Sequence, residues 1–480
     1  MTLRNILLAG TALGAAALLA GPAMAGSAAA TQNDINTMKE QIQALQQRLD
    51  DLQISQGNEL KEIKEKQDAV QIDFKDGKPT FRTGDGLFTM SIRGRAHLDM
   101  ASYNLDAADT AHLAAMGGGD KGLSSGANFR RGELGVEGTF MRDFGYKANF
   151  QWGNSGIEGY ARIKDLYLTY SGIKPITLWA GAIQTPMTLD DSTSSNDITF
   201  IERAAAANLA TGIAAGDGRL SWGVTAATSN LYGSVFYTGD TVGDGSTSAR
   251  TSNSKSAVVS RFAFAFQPND KSNVHVGASG TYSFDPNTTS FSFSERPELR
   301  VDKTSIINTG AINSPVDSAY AVGPELAANY GPVKVQGEYY FYGVNRKNSA
   351  LPDPRFDAWY VQASWVLTGE QYKYAMDPAA YKGVKPSSPF TFGGGIGAWE
   401  LAARYSQADL NFHDDRTAGN GGVAGGLQDV ITVGLNWYMN NNVRLMFEYQ
   451  DVSIDKRSSA GGAKNSLDYN AIASRLQFNF

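Results

Sequence analysis

Apolar and polar residues alternate along most of this chain. At its end, Ile472, Leu476, Phe478 and Phe480 share one face, with Ser474 as the single break, while Arg475, Gln477 and Asn479 share the other. A period of two predicts a strand whose faces meet different media. In 131–140, Leu134, Val136 and Phe140 oppose Arg131, Glu133, Glu137 and Thr139. In 146–152, Tyr146, Ala148, Phe150 and Trp152 oppose Lys147, Asn149 and Gln151. Phe262, Phe264 and Phe266 oppose Arg261 and Gln267; Val333, Val335, Tyr339 and Phe341 oppose Lys334, Gln336, Glu338 and Tyr340. Trp399, Leu401, Ala403 and Tyr405 oppose Glu400, Arg404 and Ser406; Val443, Leu445, Phe447 and Tyr449 oppose Arg444, Glu448 and Gln450. Each run lasts about eight to ten residues, the length of a tilted membrane strand. Strand starts are expected near 87, 129, 145, 163, 176, 219, 231, 257, 273, 320, 332, 357, 399, 430, 443 and 470.

The connections between these strands are unequal. Tight turns such as 141–144, 267–271 and 439–442 alternate with long polar, Gly/Ser-rich stretches at 104–127, 239–256, 283–317 and 409–428. Aromatic residues gather at strand ends, as at Tyr167 and Tyr170, Tyr339 to Tyr342, and Trp437 with Tyr438. Short turns at one end, long loops at the other and aromatic girdles predict an all-β fold: a transmembrane antiparallel β-barrel of about sixteen strands. A barrel of that size encloses an aqueous channel.

The front of the chain reads differently. Arg4, an apolar run over Ile6–Leu19 and Ala23-Met24-Ala25 form a secretory leader, with cleavage expected before Gly26. From Asp34 the period changes: Ile35, Met38, Ile42, Leu45, Leu49 and Leu52 are spaced as the a and d positions of a heptad. The seam weakens at Gln56 and Glu59 and resumes at Ile63. Such a helix needs water and a partner, which predicts a short periplasmic coiled coil bundling the subunits of an oligomer; the cell wall is a second candidate contact. The expected divisions are therefore a signal peptide at 1–25, the helical segment at 26–70, a linker at 71–86 and the barrel domain at 87–480.

Composition narrows the function. No stretch after Leu19 is apolar enough for a spanning helix, yet only 19% of residues are charged, the average that lipid-and-water alternation produces. The absence of cysteine excludes a disulfide scaffold, thiolate metal sites and thiol catalysis. A net charge of -6 gives no footprint for nucleic acid and no direct support for an anion channel. His97, His112, His275 and His413 form no nucleophile–base pattern, and Gly117–Gly119 and Gly393–Gly395 lack the Lys-Ser/Thr of a phosphate loop. No enzyme, metal or cofactor is expected.

Several blocks resemble the phosphate-selective porin O and P family: FRRGELGVEGTFMRDFGYKANFQW at 129–152, IKDLYLTYSGIKP at 163–175, ITLWAGAIQTPMTLDDSTSSNDITFIER at 176–203, WVLTGEQYKYA at 365–375 with AWELAARYS at 398–406, and VGLNWYMNNNVRLMFEY at 433–449. The resemblance runs from about residue 87 to Phe480. It implies a sixteen-stranded trimeric channel in the outer membrane of a Gram-negative bacterium, passing phosphate or polyphosphate. Resemblance to porins of this shape also implies that 185–217 folds inward and narrows the channel. The expected function is a passive porin for small hydrophilic solutes, with anion selectivity; a general diffusion porin and a structural barrel tethering the envelope are the alternatives.

The candidate anion-binding residues follow from the alternation and the resemblance. Arg93, Arg95, Arg130 and Arg131 match the family's basic positions, although Arg130 is out of phase with Arg131. Lys147, Arg261, Lys334, Arg404, Arg444 and Arg475 face inward by alternation, and Arg203 lies in the inward segment. An arginine ladder suits anions because its charge is permanent and its fork matches phosphate oxygens. Two features oppose this. The resemblance implies that many family members carry a basic residue where Asn196 stands, and Glu133, Glu137, Glu338, Glu400 and Glu448 share faces with the cations.

Overall fold

Residues that alternate between two media can all be satisfied only if the sheet closes, because an open edge would leave backbone groups unpaired in lipid. The computed structural model of the chain closes it with sixteen antiparallel strands. It describes residues 28–68, 70–75, 77–118, 121–154, 161–242, 256–284, 286, 291–313, 315–348 and 350–480. The expected leader at 1–25 lies outside the described residues, as do parts of the loops expected at 239–256 and 283–317. A helical unit ends at Ala69, and a second unit runs from Val70 to Phe480.

The helical unit is one helix, α1 (Ala28–Asp68). Its apolar seam residues, Ile35 to Leu52 and Ile63, are exposed within the single chain.

The barrel strands are β1 (Phe88–Asn104), β2 (Gly126–Phe140), β3 (Phe144–Asn154), β4 (Arg162–Ile173), β5 (Ile176–Ile183), β6 (Arg219–Ala227), β7 (Leu231–Thr241), β8 (Ala257–Asn269), β9 (Ser272–Ser283), β10 (Val316–Tyr330), β11 (Val333–Arg346), β12 (Arg355–Val366), β13 (Ala398–Phe412), β14 (Val423–Tyr438), β15 (Val443–Arg457) and β16 (Lys464–Asn479). Each pairs with its sequence neighbour. β16 then pairs with β1 from Asn470↔Asn104 to Asn479↔Arg95, and Phe480 exchanges both backbone hydrogen bonds with Gly94 at 3.0 and 3.1 Å. The terminal residue thus completes the ring of strands.

The alternation of the sequence is the alternation of the wall. Leu134, Phe150, Phe262, Phe264, Val335, Leu401 and Phe447 are exposed on the outside, while Glu133, Asn149, Arg261, Gln336, Glu400 and Glu448 are buried inside. Rings form a belt at the end that carries the tight turns: Phe140 and Phe144 lie 5.1 Å apart, Phe144 and Tyr170 4.9 Å, and Trp399 stacks on Trp437 at 5.1 Å. This end is called the turn end below, and the opposite one the loop end.

Three features differ from the sequence reading. The segment expected as a linker holds a hairpin, Gln71–Lys75 with Lys78–Arg82, whose second strand pairs with β1 at Thr80↔Ser91, Phe81↔Met90 and Arg82↔Thr89. Several strands run past the membrane band at the loop end, so β14 starts at Val423 and β16 at Lys464 instead of near 430 and 470. The turn end also carries one long connection, 367–397, between β12 and β13. It has little alternation of its own, so nothing in the sequence pattern marks it as an inserted element.

At the loop end the 105–125 connection carries α2 (Ala107–Ala115), and the 284–315 connection includes a two-residue pairing of Ser294–Glu295 with Ile307–Asn308.

Candidate functional site

The 184–218 connection folds into the barrel, as expected. It contains two helices, α3 (Leu189–Ser192) and α4 (Ala205–Ala214). Alanine suits α4 twice: it has the highest helix propensity, and its small side chain lets a helix lie against a wall. Ala205, Ala206, Ala207, Ala210 and Ala214 are all fully buried.

A non-regular segment inside a barrel needs partners for its backbone. Inward charges of the wall supply them. Glu338 accepts from the amides of Leu189 at 2.6 Å and Asp190 at 3.0 Å, and Glu448 from Ile201. Arg444 donates to the carbonyls of Ile198 at 2.7 Å and Thr199 at 3.1 Å. Arg404 donates to Glu202 O at 2.9 Å, and Arg475 to Ile201 O at 2.5 Å. Lys334 donates to Thr199 Oγ1 at 3.0 Å. The free amide at the start of α4 is capped from a different loop: Glu298 accepts from Ala205 N at 2.8 Å and also takes Arg404 at 2.5 Å and Ser406 at 2.6 Å.

The turn-end segment is inserted too. Arg261 pairs with Glu325 at 2.8 Å and donates to Pro378 O at 2.5 Å and Ala379 O at 2.8 Å. Tyr374 meets His275 at 2.6 Å, and the Lys334 ammonium lies 4.8 Å over the Tyr372 ring.

These insertions fill the lumen against β8–β16 and leave a lane along β1–β7, a cavity of about 470 Å³. Six of the sequence candidates border it: Arg93, Arg95, Arg130, Arg131, Lys147 and Arg203. The other five, Arg261, Lys334, Arg404, Arg444 and Arg475, are inward but lie at most 4% exposed beneath the inserted segments, where they hold carbonyls and carboxylates. Alternation identifies the face of a side chain, not what occupies the space before it.

Two β-bulges add cations that strict alternation misplaces. On β2, His97 pairs with Arg131 and Leu98 with Phe129, so Arg130 has no cross-strand partner and turns inward beside Arg131. It meets Glu202 through two hydrogen bonds, at 2.5 and 2.8 Å. On β4, Asn149 pairs with Asp165 and Phe150 with Ile163; Lys164, left over, turns in and meets Glu133 at 2.8 Å. Lys164 and Lys382, the latter on the turn-end segment, are lane residues that the sequence reading missed.

The lane is thus bordered by eight cations, Arg93, Arg95, Arg130, Arg131, Lys147, Lys164, Arg203 and Lys382, and by five carboxylates, Glu133, Asp165, Asp191, Asp217 and Asp377. Most cations are paired: Arg93 with Glu137 at 2.6 Å, Arg95 with Glu133 at 3.2 Å, Lys147 with Asp165 at 2.8 Å and Arg203 with Asp191 at 3.5 Å. Arg131 has no ion pair among the described residues, and its buried Nε has no hydrogen-bond partner. Asn196, at the position where the resemblance implies a base, accepts at Oδ1 from His97 Nε2 at 3.2 Å. Glu202 lies at the centre of the loop contacts. Burial would raise its carboxyl, but Arg130 and Arg475 outweigh that and hold it well below the usual carboxylate range.

A closed sixteen-stranded barrel with an aromatic belt, an inserted loop and a polar lane is a porin-type channel. The chain belongs to the phosphate-selective porin O and P family, whose family model matches residues 93–480. Porin O of Pseudomonas aeruginosa is 27% identical over 422 residues, covering 83% of this chain and 90% of that protein. An anion-selective porin from Comamonas acidovorans shares the fold at a TM-score of 0.50 and 13% identity, covering 82% of this chain and 100% of that one. OmpT of Vibrio cholerae, in a trimer form, gives a TM-score of 0.47 at 10% identity, covering 82% and 99%. The protein is an outer-membrane porin.

Proposed function

We propose that the lane passes small hydrophilic solutes passively and favours anions, phosphate among them. The observation that carries this is the charge of the lane, eight cations against five bordering carboxylates and two more, Glu137 and Glu202, that pair with Arg93 and Arg130, with Arg131 left without an ion pair among the described residues. In a narrow space with low-dielectric walls, such an excess acts over the whole passage. The motion runs down the solute's gradient, so the channel needs no cofactor and performs no catalysis.

The test is the reversal potential of the purified protein in a planar bilayer under a KCl gradient. The expected sign is that of chloride preference, and Arg131→Gln is expected to shift it toward zero without closing the channel. A cation-preferring reversal potential would refute the anion reading and leave a general diffusion porin. A barrel that carries no current would refute the channel and leave the envelope tether.

The α1 seam supports self-association of the helices in the periplasm, within the homotrimer that the resemblance implies. Ile35, Met38, Ile42, Leu45, Leu49 and Leu52 form one exposed apolar row, and such rows are buried by sister helices in coiled coils. The native chain has no cysteine, so a single Leu45→Cys is a unique probe. Mild oxidation of the full-length variant is expected to link most chains into covalent dimers within the oligomer. No cross-link in an intact oligomer would show that the helices do not associate.

A further inference from the structure

The lane has an aromatic wall as well as charged ones. Tyr167, Trp179 and Tyr232 border it. The Tyr167 and Trp179 ring centroids lie 5.1 Å apart, and Phe236 continues the file 6.3 Å beyond Trp179.

Glycines set the attitude of these rings. Tyr167 is in register with Gly181, and Phe236 with Gly223, which also faces Trp179. A Cβ on Gly181 would stand 2.9 Å from Tyr167 Cβ, and one on Gly223 would stand 2.1 Å from the Phe236 ring. With no Cβ opposite, the Phe236 ring lies over Gly223 along the wall, the arrangement by which aromatic side chains cover glycines in sheets, whereas Gly181 lets the strand backbone come close beside Tyr167, where a Cβ would stand 2.3 Å from Leu166 O. Trp179 is held further by its indole N–H, which donates to Thr225 Oγ1 at 3.0 Å. A fixed ring loses little freedom when a solute stacks on it.

Charged groups adjoin this platform. The Lys147 ammonium is 5.8 Å from the Tyr167 centroid and 2.8 Å from Asp165, and Asp377 borders the same space from the turn-end segment. An inorganic anion can use the cations but gains nothing from ring faces. A sugar ring uses both: its C–H face stacks on aromatic rings, and its hydroxyls donate to a carboxylate and accept from an ammonium. An aromatic acid would stack as well, but it would leave Lys147 and Asp165 without hydroxyl partners.

We infer that Tyr167 and Trp179 form a stacking site for a pyranose that carries an anionic group, the class of hexose phosphates and uronates. This rests on the channel reading above and adds a solute class to it. The cation excess draws in the anionic group, and the rings hold the sugar as it passes.

The experiment is block of chloride current through the full-length protein in a planar bilayer, titrated with glucose 6-phosphate, glucose, inorganic phosphate and benzoate. Glucose 6-phosphate is expected to half-block at a concentration about tenfold lower than inorganic phosphate, the scale of one aromatic contact, with glucose and benzoate weaker than glucose 6-phosphate. Tyr167→Leu with Trp179→Leu is expected to remove that advantage and to leave block by inorganic phosphate in place, whereas Tyr167→Phe retains it. Equal block by the two phosphates in the unmodified protein would overturn the inference, as would benzoate blocking as well as the sugar phosphate. Those comparisons need no variant, so a misfolded double substitution does not shelter the idea. A protein that carries no current would overturn the channel reading itself, whereas one that conducts anions with no sugar preference overturns only this inference.

Discussion

Glu202→Ala is expected to unseat the inserted loop and raise the single-channel conductance several-fold. Glu202 is 3% exposed and takes hydrogen bonds from Arg130 at 2.5 and 2.8 Å and from Arg475 at 2.9 Å. Arg475 keeps a second carboxylate, Asp99, at 2.6 and 2.7 Å. Arg130 has no other ion pair among the described residues. Removing one partner of a buried pair leaves an uncompensated charge and costs about 3–5 kcal/mol. The segment's apolar residues, Met187, Ile201, Leu209 and Ile213, pack in a buried cluster, but the wall holds its backbone around Glu202 by polar contacts, and leaving the lumen there rehydrates Arg130 and frees the lane. The adjacent Arg203, held at 3.0 Å by Asp190 O and at 2.8 Å by Thr193 O, would then become accessible to trypsin. Conductance recordings and limited trypsin digestion of the folded variant measure the two effects. Parental conductance together with parental resistance at Arg203 would show that Glu202 does not hold the loop. Glu202→Gln, which keeps the shape and loses the charge, is expected to fall between the two.

The barrel was legible in the sequence because its period is set by the medium on each side of the wall. A residue such as Gln336 or Phe264 reports its side whatever its partners are, so alternation alone sorted them. Bulges were not legible: Arg130 and Lys164 turn inward only because Leu98 and Phe150 skip a register, and register belongs to the pairing of two strands. The inserted elements differ in the same way. The 184–218 loop was anticipated by resemblance and by its length, whereas the turn-end segment 367–397 carries no alternation and sits where barrels of this kind have tight turns. Missing it had a consequence for the candidate site. Arg261 and Lys334 were expected to face open water, but the space before them holds Ala379, Tyr372 and Tyr381. The cations expected to form one ladder are therefore divided by task, some bordering the lane and others binding the backbone of the insertions.

Arg261→Ala is expected to release the turn-end segment. Arg261 is fully buried, and its guanidinium makes three contacts: Glu325 at 2.8 Å, Pro378 O at 2.5 Å and Ala379 O at 2.8 Å. The substitution leaves Glu325, itself fully buried, without its arginine, a loss on the order of 3–5 kcal/mol. It also orphans two carbonyls. Other ties, among them Tyr374 to His275 at 2.6 Å, Tyr372 to Ser364 at 2.7 Å and to Glu400, and Asn273 to Tyr381 at 3.4 Å, are single hydrogen bonds. Ala379 is fully buried, so Ala379→Cys, unique in a chain without cysteine, is expected to resist a membrane-impermeant thiol reagent in the parent. In the Arg261→Ala background it is expected to react when the reagent is added at the turn end, with a rise in conductance. The two insertions meet where Gly383 approaches Asp197: a Cβ on Gly383 would stand 2.6 Å from the Asp197 carboxylate. Contacting elements couple, so the Arg261→Ala and Glu202→Ala effects should not add. Each substitution should loosen the other segment in part, and the double variant should gain less conductance than the sum of the singles. Full additivity would mean that the two insertions move independently. An Ala379→Cys thiol that stays unreactive in the Arg261→Ala background would mean that the arginine does not hold the segment.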